Sequence, residues 1–224
     1  DLSGRVALLT GGRVKIGYQT GLKLLRCGAH LIVTTRFPRD SATRYAQEPD
    51  FKDWKDRLEI FGLDLRHTPS VEAFCRELLH SRDRLDFIIN NACQTVRRPP
   101  EFYAHMMAAE TTAFADMPDH VRALLGSYAG LRGYHMLPEA PHNDPSVASL
   151  ERRLSDVAGL THAPEMSQVA LLPEELRAQS DLFPQGQLDE DLQQVDLRDR
   201  NSWRLLLDEV SAVELLEAQL VNTV

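Results

Sequence analysis

Apolar residues in the first ninety positions fall into two kinds of run that alternate along the chain. RVALL (5–9), HLIVTT (30–35), LEIFGLD (58–64) and LDFIIN (85–90) are short, nearly continuous and rich in β-branched or aromatic residues, the signature of buried strands. From Tyr18 to Arg26 the apolar positions Leu22, Leu24 and Leu25 instead gather on one helical side, and Cys27-Gly28 closes the segment as a helix stop. Thr68-Pro69 opens SVEAFCRELLHSRD, where Val71, Phe74 and Leu78 have helical spacing and Pro69 sits near the helix start. Strand, helix and strand in this order predict right-handed crossovers: an α/β fold with a doubly wound parallel sheet and helices on both faces.

Beyond Cys93 the pattern changes. Residues 94–202 are rich in proline, with short helical pieces at 119–128, 146–158 and 173–180, and no internal repeat. From Trp203 to Val224 leucines and valines return at helical spacing. Three segments are therefore expected: a first half of the sheet over 1–93, a partly helical insertion over 94–202, and a return to the core over 203–224.

Composition narrows the function classes. The chain of 224 residues is 43% hydrophobic and 26% charged, ordinary values for a globular protein, and it has no run of the length a membrane span needs. A net charge of −8 without a concentrated basic face argues against nucleic acid as a partner. Cys27, Cys75 and Cys93 are too scattered for a disulfide framework, and the eight histidines lack a metal-binding spacing, so no metal is expected. Free thiols make a cytoplasmic location the default, although both ends look like cuts and a targeting segment could have been removed.

The distinctive polar groups follow the strands, where sheets of this kind bind ligands. After the first strand comes TGGRVKIG (10–17), a glycine-rich turn opening a helix, which lets backbone approach a pyrophosphate at a helix N-terminus. Asp64-Leu65 follows the third strand and Asn90-Asn91-Ala92-Cys93 the fourth. Together, Thr10-Gly11-x-x-x-Lys15-Ile16-Gly17, Asp64-Leu65 and Asn90-Asn91-Ala92-Cys93 resemble the motifs of the short-chain dehydrogenase/reductase superfamily, over residues 2–93 and again from about Trp203. The resemblance implies a Rossmann-type fold, a nicotinamide cofactor, an alcohol or carbonyl as small-molecule substrate, and a homo-oligomer paired through the helix that begins near Trp203. It makes Thr10, Gly11, Gly12, Arg13, Lys15, Ile16, Gly17, Arg36, Asp64, Leu65, Asn91 and Ala92 the candidate cofactor-binding residues, with Asp64-Leu65 bordering the adenine.

Two departures from the family pattern matter. Lys15 stands where the family has its middle glycine and adds a Cβ where backbone meets cofactor, so the loop either contacts phosphate through Lys15 or Arg13 or merely turns the chain. Cys93 replaces another glycine and reads most simply as a small buried filler. After the second strand, Thr35 occupies the place of the acidic residue that would select NAD, and Arg36 follows. The resemblance thus implies NADP(H) in preference to NAD(H), with Arg36 on the 2′-phosphate and Arg13 as a candidate second contact; a solvated surface arginine is the alternative for each.

In the family, catalysis uses an asparagine, a serine and a Tyr-x-x-x-Lys pair. Tyr18, Tyr45, Tyr103, Tyr128 and Tyr134 are followed four residues on by Leu22, Pro49, Met107, Arg132 and Pro138, so no such pair is present. Asn222, in the terminal helical pattern, is the candidate catalytic asparagine, or else a cap on a helix end. The chain is thus expected to carry the cofactor half of the fold without the catalytic half.

The insertion could be a lid over the substrate side or a docking surface. Within it Arg97-Arg98-Pro99-Pro100 reads as an exposed basic turn, 181–200 as a solvated acidic connection, and His105 with Met106-Met107 as part of a small core of its own. Two functions of different class follow: an NADP(H)-dependent oxidoreductase, or a Rossmann domain kept as a scaffold or interaction subunit.

Overall fold

The computed structural model describes residues 1–125, 147–177, 179–201 and 203–223. Strands β1 (Val6–Thr10), β2 (His30–Thr35), β3 (Leu58–Gly62) and β4 (Phe87–Ile89) form one parallel sheet in the order β3-β2-β1-β4. Val6 lies opposite His30, Leu31 opposite Leu58, and Ala7 opposite Phe87. The chain therefore steps outward from β1 to β3, then returns to the other side of β1 for β4. That reversal creates a switch point at the carboxyl ends of the central strands.

Period-two alternation sends side chains of each strand into two cores. On one face Ala7, Leu9, Leu31, Val33, Leu58 and Ile60 pack against helices α1 (Lys15–Arg26), α2 (Pro38–Ala46) and α3 (Phe51–Trp54), through Leu22, Leu25, Ala42, Tyr45 and Trp54. On the other, Leu8, Ile32 and Phe61 pack against Ala73, Phe74 and Leu78 of α4 (Thr68–Ser81). Because both faces are covered, Val6–Leu9 of β1 and Leu31–Val33 of β2 are apolar without interruption rather than alternating, which is what makes them readable in the sequence. β3 and β4 are the edge strands, and Ile88 of β4 is 61% exposed.

Residues beyond Cys93 complete these same layers. Helices α5 (Pro100–Glu110) and α6 (Asp119–Leu124) contact α2, and Met117, Val121, Leu124 and Leu125 join the first core. Past α7 (Val147–Asp156), Val157 enters the second core, and the short turns α8 (Ala158–Thr161) and α9 (Ala163–Met166) follow, α8 contacting α4 and β3. A third cluster joins Phe37 to Phe102, Tyr103, Met106 and Phe183, so Met106 is buried as its sequence context suggested, but against the sheet domain's own Phe37.

Several sequence expectations are corrected. The first helix starts at Lys15, not Tyr18, and the last, α10 (Ala212–Thr223), starts well after Trp203, with only a 3-10 turn at Leu207–Glu209 between. Of the 173–180 piece, whose residue 178 lies outside the described residues, only a single 3-10 turn forms among the described ones, Pro173–Leu176. Of the pieces at 119–128 and 146–158, residues 126–128 and 146 lie outside the described residues. α5 was not anticipated. Arg97 is no exposed basic turn: it is 5% exposed and paired with Glu175 and Glu217, because a buried guanidinium needs carboxylate partners. Among the described residues no helix is long and apolar enough to cross a membrane.

Candidate cofactor site

A cavity of about 360 Å³ opens at the carboxyl ends of all four strands. Its floor is the turn from β1 into α1. Gly11 has φ +68°, and a Cβ there would come within 2.9 Å of the Ala92 Cα. A Cβ on Gly17 would lie 2.3 Å from the Gly11 carbonyl oxygen and 2.5 Å from Asn91 Nδ2, so backbone of the loop, helix and β4 meet where only glycine fits. The Asn91 amide donates to the carbonyls of Thr10 and Gly11 at 3.1 and 3.0 Å, and the Ala92 N–H donates to Thr10 Oγ1. Asn91 and Thr10 thus brace the loop from beneath. Gly12 is buried outside the cavity lining, its carbonyl accepting from the Tyr45 hydroxyl.

Lys15 resolves how the missing glycine is accommodated. It adopts the left-handed conformation itself, with φ 52°, so the backbone follows the turn a glycine would make, at the strain an L-residue carries there. The N-cap position of α1, Val14, supplies no side-chain cap and the first turn holds no acidic residue, leaving the N-terminal amides to whatever anion approaches. The Lys15 ammonium turns toward the insertion, 3.8 Å from Asp189 and 3.5 Å from Asp191, while the neighbouring Ile16 is 76% exposed at the rim.

The wall beyond β2 is cationic and aromatic. Arg36 donates to the Tyr103 hydroxyl at 2.6 Å, its guanidinium carbon 4.6 Å from the Tyr103 ring centre and 5.8 Å from that of Phe37. Arg13 is buried, donates to Asp40 at 2.7 Å and lies 5.6 Å from the Phe37 ring centre, so its charge is already matched within the protein. Burial alone would raise the Asp40 carboxyl, but Arg13 and Arg44 outweigh it and hold it below the usual range.

Asp64 and Leu65 form the wall after β3. Asp64 is 1% exposed and receives a bidentate pair from Arg66, at 2.9 and 2.6 Å, plus the Arg66 backbone N–H. Burial pushes this carboxyl up; the Arg66 hydrogen bonds and charge more than reverse that and hold it below the ordinary range. Its side chain is therefore a structural anchor, with the cavity left to backbone and to Leu65.

Asn222 stands just outside the cavity, whose lining includes its neighbour Val221. Its amide donates to the Gln94 carbonyl at 3.0 Å and its carbonyl accepts from the Gln94 N–H at 2.9 Å, so it holds the backbone after β4. Of the two roles the sequence suggested, the helix cap is not the one seen: the residue clamps another segment rather than its own helix end. Cys93 is exposed at the cavity wall, not a buried filler. Tyr103, Gln193 and Arg66 also line the cavity, and Asp189 and Asp191 guard Lys15. Only Arg66 had a sequence signal, two residues after Asp64; the others arrive by tertiary packing of the insertion.

A glycine-rich strand-to-helix turn at the switch point of a doubly wound parallel sheet defines a Rossmann-type dinucleotide-binding fold. Residues 5–114, just under half of the chain, match the family model described as short chain dehydrogenase, and this segment is similar to that family. It is 41% identical over 101 residues to an uncharacterized protein of Acanthamoeba polyphaga mimivirus, covering 43% of this chain and 22% of that one. To retinol dehydrogenase 14 of Mus musculus it is 37% identical over 102 residues, covering 41% and 30% respectively. The matched region spans 22% to 32% of the length of such relatives. Among solved structures, a metagenomic short-chain oxidoreductase in complex with NADP aligns at 23% identity and a TM-score of 0.37, over 70% of this chain and 73% of that one.

Proposed function

We propose that the chain binds NADP(H) in this cavity and forms the cofactor-binding part of an oxidoreductase acting on an alcohol or carbonyl. The observation that carries the reading is the close packing of Gly17 on Gly11: a Cβ there would collide with the Gly11 carbonyl and the Asn91 amide, so only glycine lets the turn lie against the start of α1, which has no side-chain cap. The volume of about 360 Å³ is within the range of cofactor sites. Gly11, Lys15, Ile16 and Gly17 would hold the pyrophosphate, Leu65 with the backbone at Asp64 would border the adenine, Ala92 would flank the ribose, and Arg36 would take the 2′-phosphate. When bound, the cofactor supplies or accepts a hydride. Thr10, Gly12 and Asn91 shape the loop from below, Arg13 fixes α2 through Asp40, and Asn222 positions the segment after β4 through Gln94.

A second reading, a Rossmann domain kept as a scaffold, is favoured by one observation: two carboxylates of the insertion already neutralise Lys15 at the loop. The two differ on binding. Titrating the wild type and Gly17→Ala with NADPH by calorimetry tests the proposal: micromolar binding lost at least about tenfold in the variant supports it, whereas absence of wild-type binding supports the scaffold.

A further inference from the structure

Arg36 is the residue on which the NADP(H) reading turns, yet an arginine projecting from a strand end has many rotamers, and holding one of them is costly in entropy. Here it is held. Its guanidinium donates to the Tyr103 hydroxyl at 2.6 Å and lies 4.6 Å from that ring's centre, with Phe37 on another side at 5.8 Å. Tyr103 itself is 8% exposed and cannot swing away, since its ring packs edge-on against Phe102 with centres 5.0 Å apart and against Phe37 at 5.1 Å. It comes from α5, outside the glycine loop and outside every strand end, and still lines the cavity.

We propose that Tyr103 is a positioning residue for the 2′-phosphate: it pre-orients Arg36, so that preference for NADP(H) over NAD(H) is set by the insertion as well as by the strand. The inference rests on the NADP(H) reading above. A guanidinium has five N–H donors in a planar fork, and Tyr103 engages one of them, leaving the others for a phosphate. Cation–π contact with the ring adds attraction without consuming a donor. A phosphate therefore meets an arginine already in place, and less ordering is needed on binding.

The test is a double-mutant cycle on the full chain, titrated with NADPH and NADH by calorimetry. Tyr103→Ala weakens NADPH about five- to tenfold and NADH less than about twofold. Tyr103→Phe, which keeps the packing ring and so guards against misfolding, weakens NADPH about two- to threefold with NADH unmoved. In an Arg36→Ala background neither substitution changes NADPH affinity by more than about twofold. Equal losses for both cofactors, no loss, tighter NADPH binding in Tyr103→Ala, or an undiminished effect without Arg36 would overturn the proposal. A wild type that binds neither cofactor sinks the underlying reading and this one together; selective wild-type binding of NADPH with an inert Tyr103 sinks this one alone.

Discussion

The Lys15 ammonium lies 3.5 Å from the Asp191 carboxylate, joining the glycine-rich loop to a segment of the insertion far along the chain. One substitution in the loop thus has two consequences. It places an L-residue in left-handed backbone, and it gives an acidic segment something to hold.

The first consequence is a stability effect. Lys15→Gly relieves the left-handed strain, partly offset by glycine's greater freedom when unfolded, for a net gain of about 0.5–1 kcal/mol. The exposed pairs with Asp189 and Asp191 contribute little to the balance. Lys15→Ala loses the same pairs but keeps the strain, so it shows no gain. Urea denaturation of the three proteins checks the ordering.

The second consequence concerns binding. Asp189 and Asp191 set negative charge beside the loop proposed to receive a pyrophosphate. The double variant Asp189→Asn with Asp191→Asn is expected to bind NADPH about three- to tenfold more tightly at low salt, with the gain shrinking at high salt as screening grows. Calorimetry at two ionic strengths measures it, and an unchanged affinity would remove the acidic segment from the account.

Glu110 gives a pH dependence. Its carboxylate accepts from the Arg39 and Asp40 N–H groups at the start of α2, but burial dominates and pushes its pKa from 4.5 up to about 7. A raised carboxyl binds more protons folded than unfolded, so its contribution is full below about pH 4.5 and is lost as pH rises through about 7, at most about 3 kcal/mol. Glu110→Gln is expected to flatten the stability profile between those values. Thermal melts of both proteins across that window check the sign.

How legible this was depends on the distance over which each feature is determined. β1, β2 and β3 are local, their positions Ala7–Leu9, Leu31–Val33, Leu58, Ile60 and Phe61 apolar because both faces are covered. The loop glycines are local too, since their backbone demands show in the residue type. α5 was obscured by Pro99-Pro100, a breaker in the sequence that in the structure supplies the N-cap and first residue of the helix. The late start of α10 was hidden because Leu206 and Leu207, which resemble a helical stripe, are 67% and 77% exposed. Arg97, Tyr103 and Asp191 act through partners distant in sequence, Glu217, Arg36 and Lys15, and no spacing announces such meetings.

The central claim is that this loop, with a lysine in place of a glycine, still holds a cofactor and that Arg36 reads its 2′-phosphate. Titrating the wild-type chain with NADPH and with NADH, followed by nicotinamide fluorescence, tests it most directly. The account predicts micromolar NADPH binding and NADH at least about tenfold weaker. Equal affinity for the two would contradict the role of Arg36, and failure to bind either would contradict the site itself.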